Sequence, residues 1–200
     1  MANGRVCIGF SKPYVALYSN SGTTVTYTSG MALARGVDVT LSPESSSDNV
    51  FYADNVAAES DSGRFTGGTV SLTVDGLKDA ANSLILGLPT AETVTVGQES
   101  IDVYAYGDAQ ETPYVGIGFV AEYMEDGEIS YVPTCILKTK FQQPETSAAT
   151  MEDSIDWQTQ SLTADIFRDD TTAHNWKKVG EGVTTEAKAE AVIKAIFGIS

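Results

Sequence analysis

Histidine and cysteine are nearly absent from this chain of 200 residues, which contains one histidine, His174, and two cysteines, Cys7 and Cys135. Zinc sites need several such ligands at characteristic spacings, and a Ser-His-Asp triad needs a base within reach of its nucleophile. One histidine and two distant cysteines supply neither pattern, so His174 is expected to be structural. Two cysteines allow a single disulfide, but two reduced thiols, as in a cytosolic protein, are the expected state.

Motifs of catalysis are also missing. The chain has no Walker lysine motif and no Gly-x-Ser-x-Gly elbow. Gly116-Ile117-Gly118 lacks a third glycine and lies within a strand pattern, which excludes a nucleotide-binding loop. Acidic pairs such as Glu125-Asp126 arise by chance among 27 acidic residues, and no segment fits a calcium-binding loop. The sequence therefore predicts a protein that is not an enzyme and that uses no cofactor and no metal.

Long hydrophobic runs are lacking too. No segment approaches the roughly 20 apolar residues that cross a bilayer. Residues 1–12 contain no apolar stretch of the kind that forms a secretory signal. We therefore expect a protein that is made and assembled in a cytoplasm, without a membrane partner.

Positive charge is scarce and unevenly distributed. Twelve Lys and Arg stand against 27 Asp and Glu, which gives a net charge of −15, and residues 36–63 and 79–137 contain no Lys or Arg. Phosphate contacts require these cations, so the composition excludes a conventional DNA-binding protein. Two interpretations remain: a solubilising surface, or a surface that repels DNA within a screening length of about 8 Å.

The patterns that are present predict mostly strands. Residues 14–19 and 23–28 are typical of a hairpin around Asn20-Ser21-Gly22, and residues 69–74 alternate as a half-buried strand does. In residues 115–123 the odd positions are apolar, whereas Gly116 and Gly118 on the other face leave room for a close neighbour. Residues 158–166 alternate with a largely amide and hydroxyl surface, which suits pairing with other strands. Trp157 is expected to pack.

Two helices and one long connection complete the prediction. Asp75 is the predicted N-cap of a helix that ends near Gly87, and residues 184–197 form a second helix with a Glu190–Lys194 pair. This C-terminal helix either packs against the sheet or docks on a neighbouring subunit. Residues 42–63 are predicted to be a long connection, either functional or flexible, with a short apolar island at Val50-Phe51-Tyr52.

Three separated blocks of the chain carry a resemblance to a known family. They are Phe51-Tyr52-Ala53-Asp54-Asn55, Thr112-Pro113-Tyr114-Val115-Gly116-Ile117-Gly118-Phe119 and Met151-Glu152-Asp153-Ser154-Ile155-Asp156-Trp157-Gln158-Thr159-Gln160-Ser161-Leu162-Thr163-Ala164-Asp165-Ile166. In order and spacing they resemble the phi13-type major tail protein, the tail tube protein of long-tailed bacteriophages. The similarity spans roughly residues 3–180.

The resemblance implies a fold and a function. The fold is mainly β with α: a tail-tube-like β-sandwich or barrel flanked by a helix, plus a C-terminal helix, in one domain over residues 1–200 with an extension from about residue 170. The function is that of a structural virion protein, the major subunit of a non-contractile tail. Six copies form a ring whose sheets join into a continuous inner barrel, and stacked rings form the DNA conduit.

Partners and location follow from the same resemblance. The chain would bind itself and the tape-measure, tail-tip and tail-terminator proteins, and DNA would pass through the lumen without specific binding. Assembly would take place in the cytoplasm of a bacterial host. The alternative, which the residues leave open, is a monomeric acidic β-sandwich that acts as a binding module of a baseplate or a surface.

The candidate functional residues fall into two groups. Contacts with an adjacent subunit or ring are expected at residues 50–55, with Val50, Phe51, Tyr52, Asp54 and Asn55 as the named candidates. Acidic side chains that line the lumen are expected among Asp38, Asp48, Asp54, Glu59, Asp61, Asp153, Asp156 and Asp165.

Overall fold

The computed structural model describes residues 4–61, 63–108, 110–146, 150 and 157–199. Strands make up 54% and helices 11% of these residues, so the predicted class, mainly β with α, is confirmed. The strands are β1 Val6–Ser21, β2 Thr24–Ala32, β3 Gly36–Ser45, β4 Asn49–Ala53, β5 Val56–Asp61, β6 Phe65–Val74, β7 Glu92–Val96, β8 Glu99–Val103, β9 Val115–Glu125, β10 Glu128–Phe141, β11 Gln160–Phe167 and β12 Lys177–Val179. The helices are α1 Asp79–Leu86 and α2 Glu186–Phe197.

One antiparallel sheet dominates the molecule, with the strand order β2-β1-β9-β10-β11-β6-β3 and with β12 paired to β10. The sheet curls over, because β3 at one end approaches β1 near the other end, where Phe10 lies against Gly36. Two hairpins, β4–β5 and β7–β8, form separate two-stranded sheets outside this curled sheet.

The main core lies inside the curl. Its buried side chains come from both halves of the sheet and from α1 (Val15, Leu33, Val70, Leu72, Val74, Ala81, Ile85, Leu86, Val115, Ile117, Phe119, Ala121, Ile136, Phe141, Leu162, Ala164 and Ile166). The alternation predicted for residues 69–74 is confirmed, and that predicted for residues 158–166 is confirmed from residue 160 onward, since each strand turns one apolar face to this core. α1 ends at Gly87, whose φ of 64° is the left-handed conformation expected of a C-cap glycine.

A second core lies between α2 and the outer face of β1, β9 and β10. α2 buries Ala189, Ile193 and Phe197 there. The predicted room at Gly116 and Gly118 is confirmed, because the Phe197 ring occupies it. Of the two alternatives for the C-terminal helix, the structure shows packing on the sheet.

Three local predictions were wrong. Residues 42–63 are not one long connection, since β3 continues to Ser45 and the chain then forms the β4–β5 hairpin. Asp75 does not cap α1. Its carboxylate instead accepts from the backbone N–H of Arg35 at 2.9 Å and pairs with its guanidinium at 2.5 Å. Trp157 does not pack, because its side chain is 83% exposed.

The polar strand β11 pairs with other strands, as its amide and hydroxyl surface predicts. It lies inside the sheet, with β6 on one side and β10 on the other. Its hydrogen bonds are therefore satisfied within the chain, and it cannot be the strand that pairs with a neighbouring copy.

Candidate assembly surfaces

Hydroxyl groups and carboxylates line the outer face of β3, β6 and β11, which we call the hydroxyl face. It consists of Asp38, Thr40, Ser42, Glu44, Thr69, Ser71, Thr73, Ser161, Thr163 and Asp165, all exposed or half-buried. The register places these side chains side by side: Asp38 lies opposite Thr73, and Thr73 lies opposite Ser161. α2 packs on β1, β2, β9 and β10, and so leaves this face open.

The hydroxyl face lacks cations. None of its three strands contains Lys or Arg. Cations adjoin it: Lys140 of β10 lies opposite Asp165, and Arg64 and Arg168 lie next to the ends of β6 and β11. Phosphate contacts need Lys or Arg, and the three strands of this polar surface supply neither.

The hydroxyl face ends at an open strand edge. In the described part of the chain, β3 pairs only with β6, and β2, at the other end of the sheet, pairs only with β1. An unpaired edge presents free N–H and C=O groups that another strand can use. Another copy could therefore continue the sheet from either edge.

The β4–β5 hairpin, which we call the first arm, carries exposed apolar side chains. Val50 is 37%, Phe51 64% and Val56 65% exposed. Its turn is formed by Asp54 and Asn55, both with positive φ (52° and 63°), as a type I′ hairpin turn requires.

The β7–β8 hairpin, which we call the second arm, is exposed at every residue of both strands. Its register places Val94 opposite Ile101 and Glu92 opposite Val103, so Val94, Val96, Ile101 and Val103 share one face. These four side chains are 47–62% exposed. The β-prone residues 90–97 and 101–106 predict short strands here, but the sequence alone did not predict this apolar face.

The structure brings together only some of the predicted acidic residues. Asp38 and Asp165 lie on the hydroxyl face, whereas Asp54 and Glu59 lie on the first arm and Asp48 lies next to it, accepting from the backbone N–H of Gly63 at 2.7 Å. The predicted contact residues Val50, Phe51, Asp54 and Asn55 are exposed on the first arm. Outside the described part of the structure lie the side chains of Tyr52 and Asp61 and the whole of Asp153 and Asp156.

Sequence reasoning missed Glu44 and the hydroxyl groups. The signal was present, since Ser or Thr recurs at alternate positions in β3, β6 and β11. Only the register of the three strands shows that these side chains form one surface.

Charged hydrogen bonds hold α2 on the other half of the sheet. The Tyr14 hydroxyl donates to Glu190 at 2.5 Å, and Lys194 donates to the same carboxyl group at 3.0 Å. The hydrogen bond from Tyr14 is the main reason why the pKa of Glu190 is lowered. The predicted Glu190–Lys194 pair is thus confirmed, as part of a larger network.

A second network fixes the loop before β12. The Tyr18 hydroxyl and the Lys138 ammonium both donate to Asp170 Oδ2 at 2.7 Å. These bonds lower the pKa of Asp170, and burial raises the pKa of Tyr18 to about 12. Both networks join elements of the fold: the first ties α2 to β1, and the second ties the loop before β12 to β1 and β10.

Among the described residues, no three His, Cys, Asp or Glu side chains are grouped so that they could hold a metal ion. Nor is any helix in the described ranges long and apolar enough to cross a membrane. Cys7 is an exposed free thiol, whereas Cys135 is a buried free thiol whose pKa is raised to about 12 by burial.

Comparison with known proteins assigns no relative: no protein-family model matches the chain, and no curated protein matches it.

Proposed function

We propose that this chain is the subunit of a hollow protein tube through which DNA passes, the tail tube of a long-tailed bacteriophage. Six copies join into a ring, and rings stack into the tube. The observation that carries the proposal is the hydroxyl face: a broad, polar, acidic surface of a sheet, without Lys or Arg, that ends at an open strand edge.

The two halves of the outer face of the curled sheet, one open and one covered by α2, suit the two sides of a tube wall. The hydroxyl face would line the lumen, where acidic and hydroxyl side chains keep DNA from adhering. α2 covers a different part of the sheet and would lie toward the outside. The open edge of β3 would pair with a neighbouring copy, so that the lumen surface continues around the ring.

The first arm provides a second reason to expect assembly. Val50, Phe51 and Val56 project on a two-stranded hairpin that is too small to bury them. Association with another copy or ring would bury these side chains, and burial of apolar area stabilises the contact by roughly 25 cal/mol per Å².

The tape-measure, tail-tip and tail-terminator proteins are proposed partners on the ground of the family resemblance. The virion tail is the proposed location, with assembly in the cytoplasm of the bacterial host.

Thiol labelling tests the orientation of the wall. Ser161→Cys places a thiol on the hydroxyl face, and Ala187→Cys places one on the exposed side of α2, both in a Cys7→Ser background. In assembled particles, Ser161→Cys should react with a small maleimide but not with a polymer-linked one, whereas Ala187→Cys should react with both. Equal access of the large reagent to both positions after assembly would contradict the proposal.

A further inference from the structure

We propose that the apolar face of the second arm inserts into the basic cavity of a second copy of this chain, between β1, the β2–β3 connection and the β6–α1 connection. The arm and the cavity lie on different parts of the surface, so the contact is head-to-tail. The inference deepens the proposed function and rests on it for the closure of a ring.

The second arm has one face that needs a partner. Val94, Val96, Ile101 and Val103 form a continuous apolar patch, and Glu92 and Glu99 share that face at its two ends. The opposite face is polar, since the Thr93 hydroxyl donates to Asp102 at 2.9 Å. When a hairpin with two such faces binds a partner, it buries its apolar face and leaves its polar face in solvent. The partner surface must therefore contact the aliphatic side chains and also accommodate two carboxylates.

The cavity offers these features. Its volume is about 700 Å³, and its apolar lining includes Phe10, Pro13 and Leu33. Three cations, Lys12, Arg35 and Lys78, lie around it. In a chain with a net charge of −15, this concentration of positive charge is unusual.

The local ion pairs leave the cavity positive. Asp75 pairs with Arg35, and Lys12 lies 3.6 Å from a Glu190 carboxylate oxygen. The described ion pairs do not include Lys78. Glu92 or Glu99 of an inserted arm would meet Lys78 and Arg35, whose side chain is 92% exposed. Because the charges are complementary, the acidic ends of the arm favour this basic cavity over an acidic surface, and association is faster.

A head-to-tail contact has a consequence for assembly. Each copy offers one arm and one cavity, so each copy can bind two neighbours. Such interfaces generate rings when the rotation closes and open chains when it does not. The second arm would therefore link copies in one direction, independently of the strand pairing at β3.

Matched substitutions on the two faces of the arm test the contact. Val96→Asp adds a carboxylate on the apolar face, and Thr95→Asp adds the same charge on the polar face. Sedimentation velocity should give a dissociation constant for self-association that rises at least about tenfold in Val96→Asp and that hardly changes in Thr95→Asp. Equal effects of the two variants, or a wild-type chain that stays monomeric at its highest soluble concentration, would overturn the inference.

Exchanging the charges of Lys78 and Glu99 distinguishes a loss of the arm contact from a loss of folding. Lys78→Glu and Glu99→Lys should each weaken self-association, and the double variant should recover most of it. Mixing Val94→Cys with Ala34→Cys, both in a Cys7→Ser background, should give a disulfide-linked dimer on mild oxidation, whereas Thr95→Cys with Ala34→Cys should not. Cross-linking that appears only when both cysteines are on one chain would overturn the inference in favour of an intramolecular contact.

Failure of the arm contact can be distinguished from failure of the proposed tube function. Hollow tubes formed by Val96→Asp would overturn the arm contact and leave the proposed function standing. Head-to-tail chains or dimers that depend on Val96, without rings or tubes, would leave the arm contact standing and overturn the proposed function.

Discussion

Gly118 of β9 lies directly beneath the ring of Phe197, so close that a Cβ added to Gly118 would be 2.7 Å from Cε2 of that ring. Gly116 makes the same kind of approach, at 2.6 Å from Cε1. These two glycines let α2 settle on the sheet. Because α2 packs on this part of the sheet, the two glycines also determine that the hydroxyl face stays open.

Gly118→Ala should destabilise the protein by about 1–3 kcal/mol, the usual cost of overpacking a core. The cause is the forced shift of Phe197 and of Ile193, which also lies against Gly118. The urea midpoint measures the effect. Gly107→Ala is the control, because a Cβ there meets nothing within 4 Å, and its midpoint should stay close to that of the wild type. A Gly118→Ala protein as stable as the control would contradict the described packing of α2.

Glu190→Gln should lower the free energy of unfolding near neutral pH by on the order of 1 kcal/mol, since it weakens the hydrogen bonds from Tyr14 and Lys194. The pKa of Glu190 is lowered from its ordinary value of 4.5 in the folded protein. This contribution to stability is therefore present above pH 4.5 and is lost as the pH falls through the lower folded pKa.

The check is urea unfolding of both proteins over a pH series. The difference between wild type and Glu190→Gln should shrink as the solution becomes acidic. Glu128→Gln, at the exposed turn between β9 and β10, is the control. A difference that grows toward acid pH would show that the network does not favour the charged carboxylate.

The two thiols should react very differently with a thiol reagent. Cys7 is exposed, whereas Cys135 is 1% exposed and its pKa is raised to about 12 by burial. Because the thiolate is the reactive form, the native protein should show one fast thiol and a second that reacts only on unfolding. Cys7→Ser should abolish the fast phase. A fast thiol that persists in Cys7→Ser would contradict the burial of Cys135.

Ser161→Lys should make assembled particles retain DNA, because it adds a cation to a surface that otherwise has none. Retention should weaken as salt is raised, as expected for phosphate contacts. Ala187→Lys adds the same charge on α2 and should leave DNA release unchanged. Filter retention of labelled DNA measures both. Equal retention by the two variants would argue against the hydroxyl face as the lumen.

Local patterns predicted those parts of the fold that depend on local chemistry. The alternation in residues 69–74 gave a strand with Val70, Leu72 and Val74 buried, and the glycines opposite the apolar face of β9 predicted a close neighbour. The C-terminal helix was placed correctly because Gly198, with φ of 62°, ends it as a left-handed C-cap residue does.

Long-range contacts explain why some features of the fold could not be predicted from the sequence. Asp75 has the sequence of an N-cap, but Arg35, distant in the chain, takes its carboxylate. The polar strand β11 gave no indication that both of its edges are paired. The first arm was predicted to be a connection, because a hairpin outside the core leaves only weak signals: the apolar island at Val50 and the Asp54-Asn55 turn.

The candidate surfaces were only partly predictable. Asp38 and Asp165 were named as lumen residues from charge alone, and the register places them on one face. The hydroxyl groups around them were not recognised, because their proximity depends on three strands that are far apart in sequence. The second arm was not recognised as apolar, because its four aliphatic side chains share a face only in the paired hairpin.

The most direct test of the account is electron microscopy of the purified protein over a concentration series, with and without a tail-tip extract to initiate assembly. The account predicts six-fold rings or hollow tubes, in which the hydroxyl face lines the bore. Particles that remain monomeric at every concentration, even with the tail-tip extract, would contradict it.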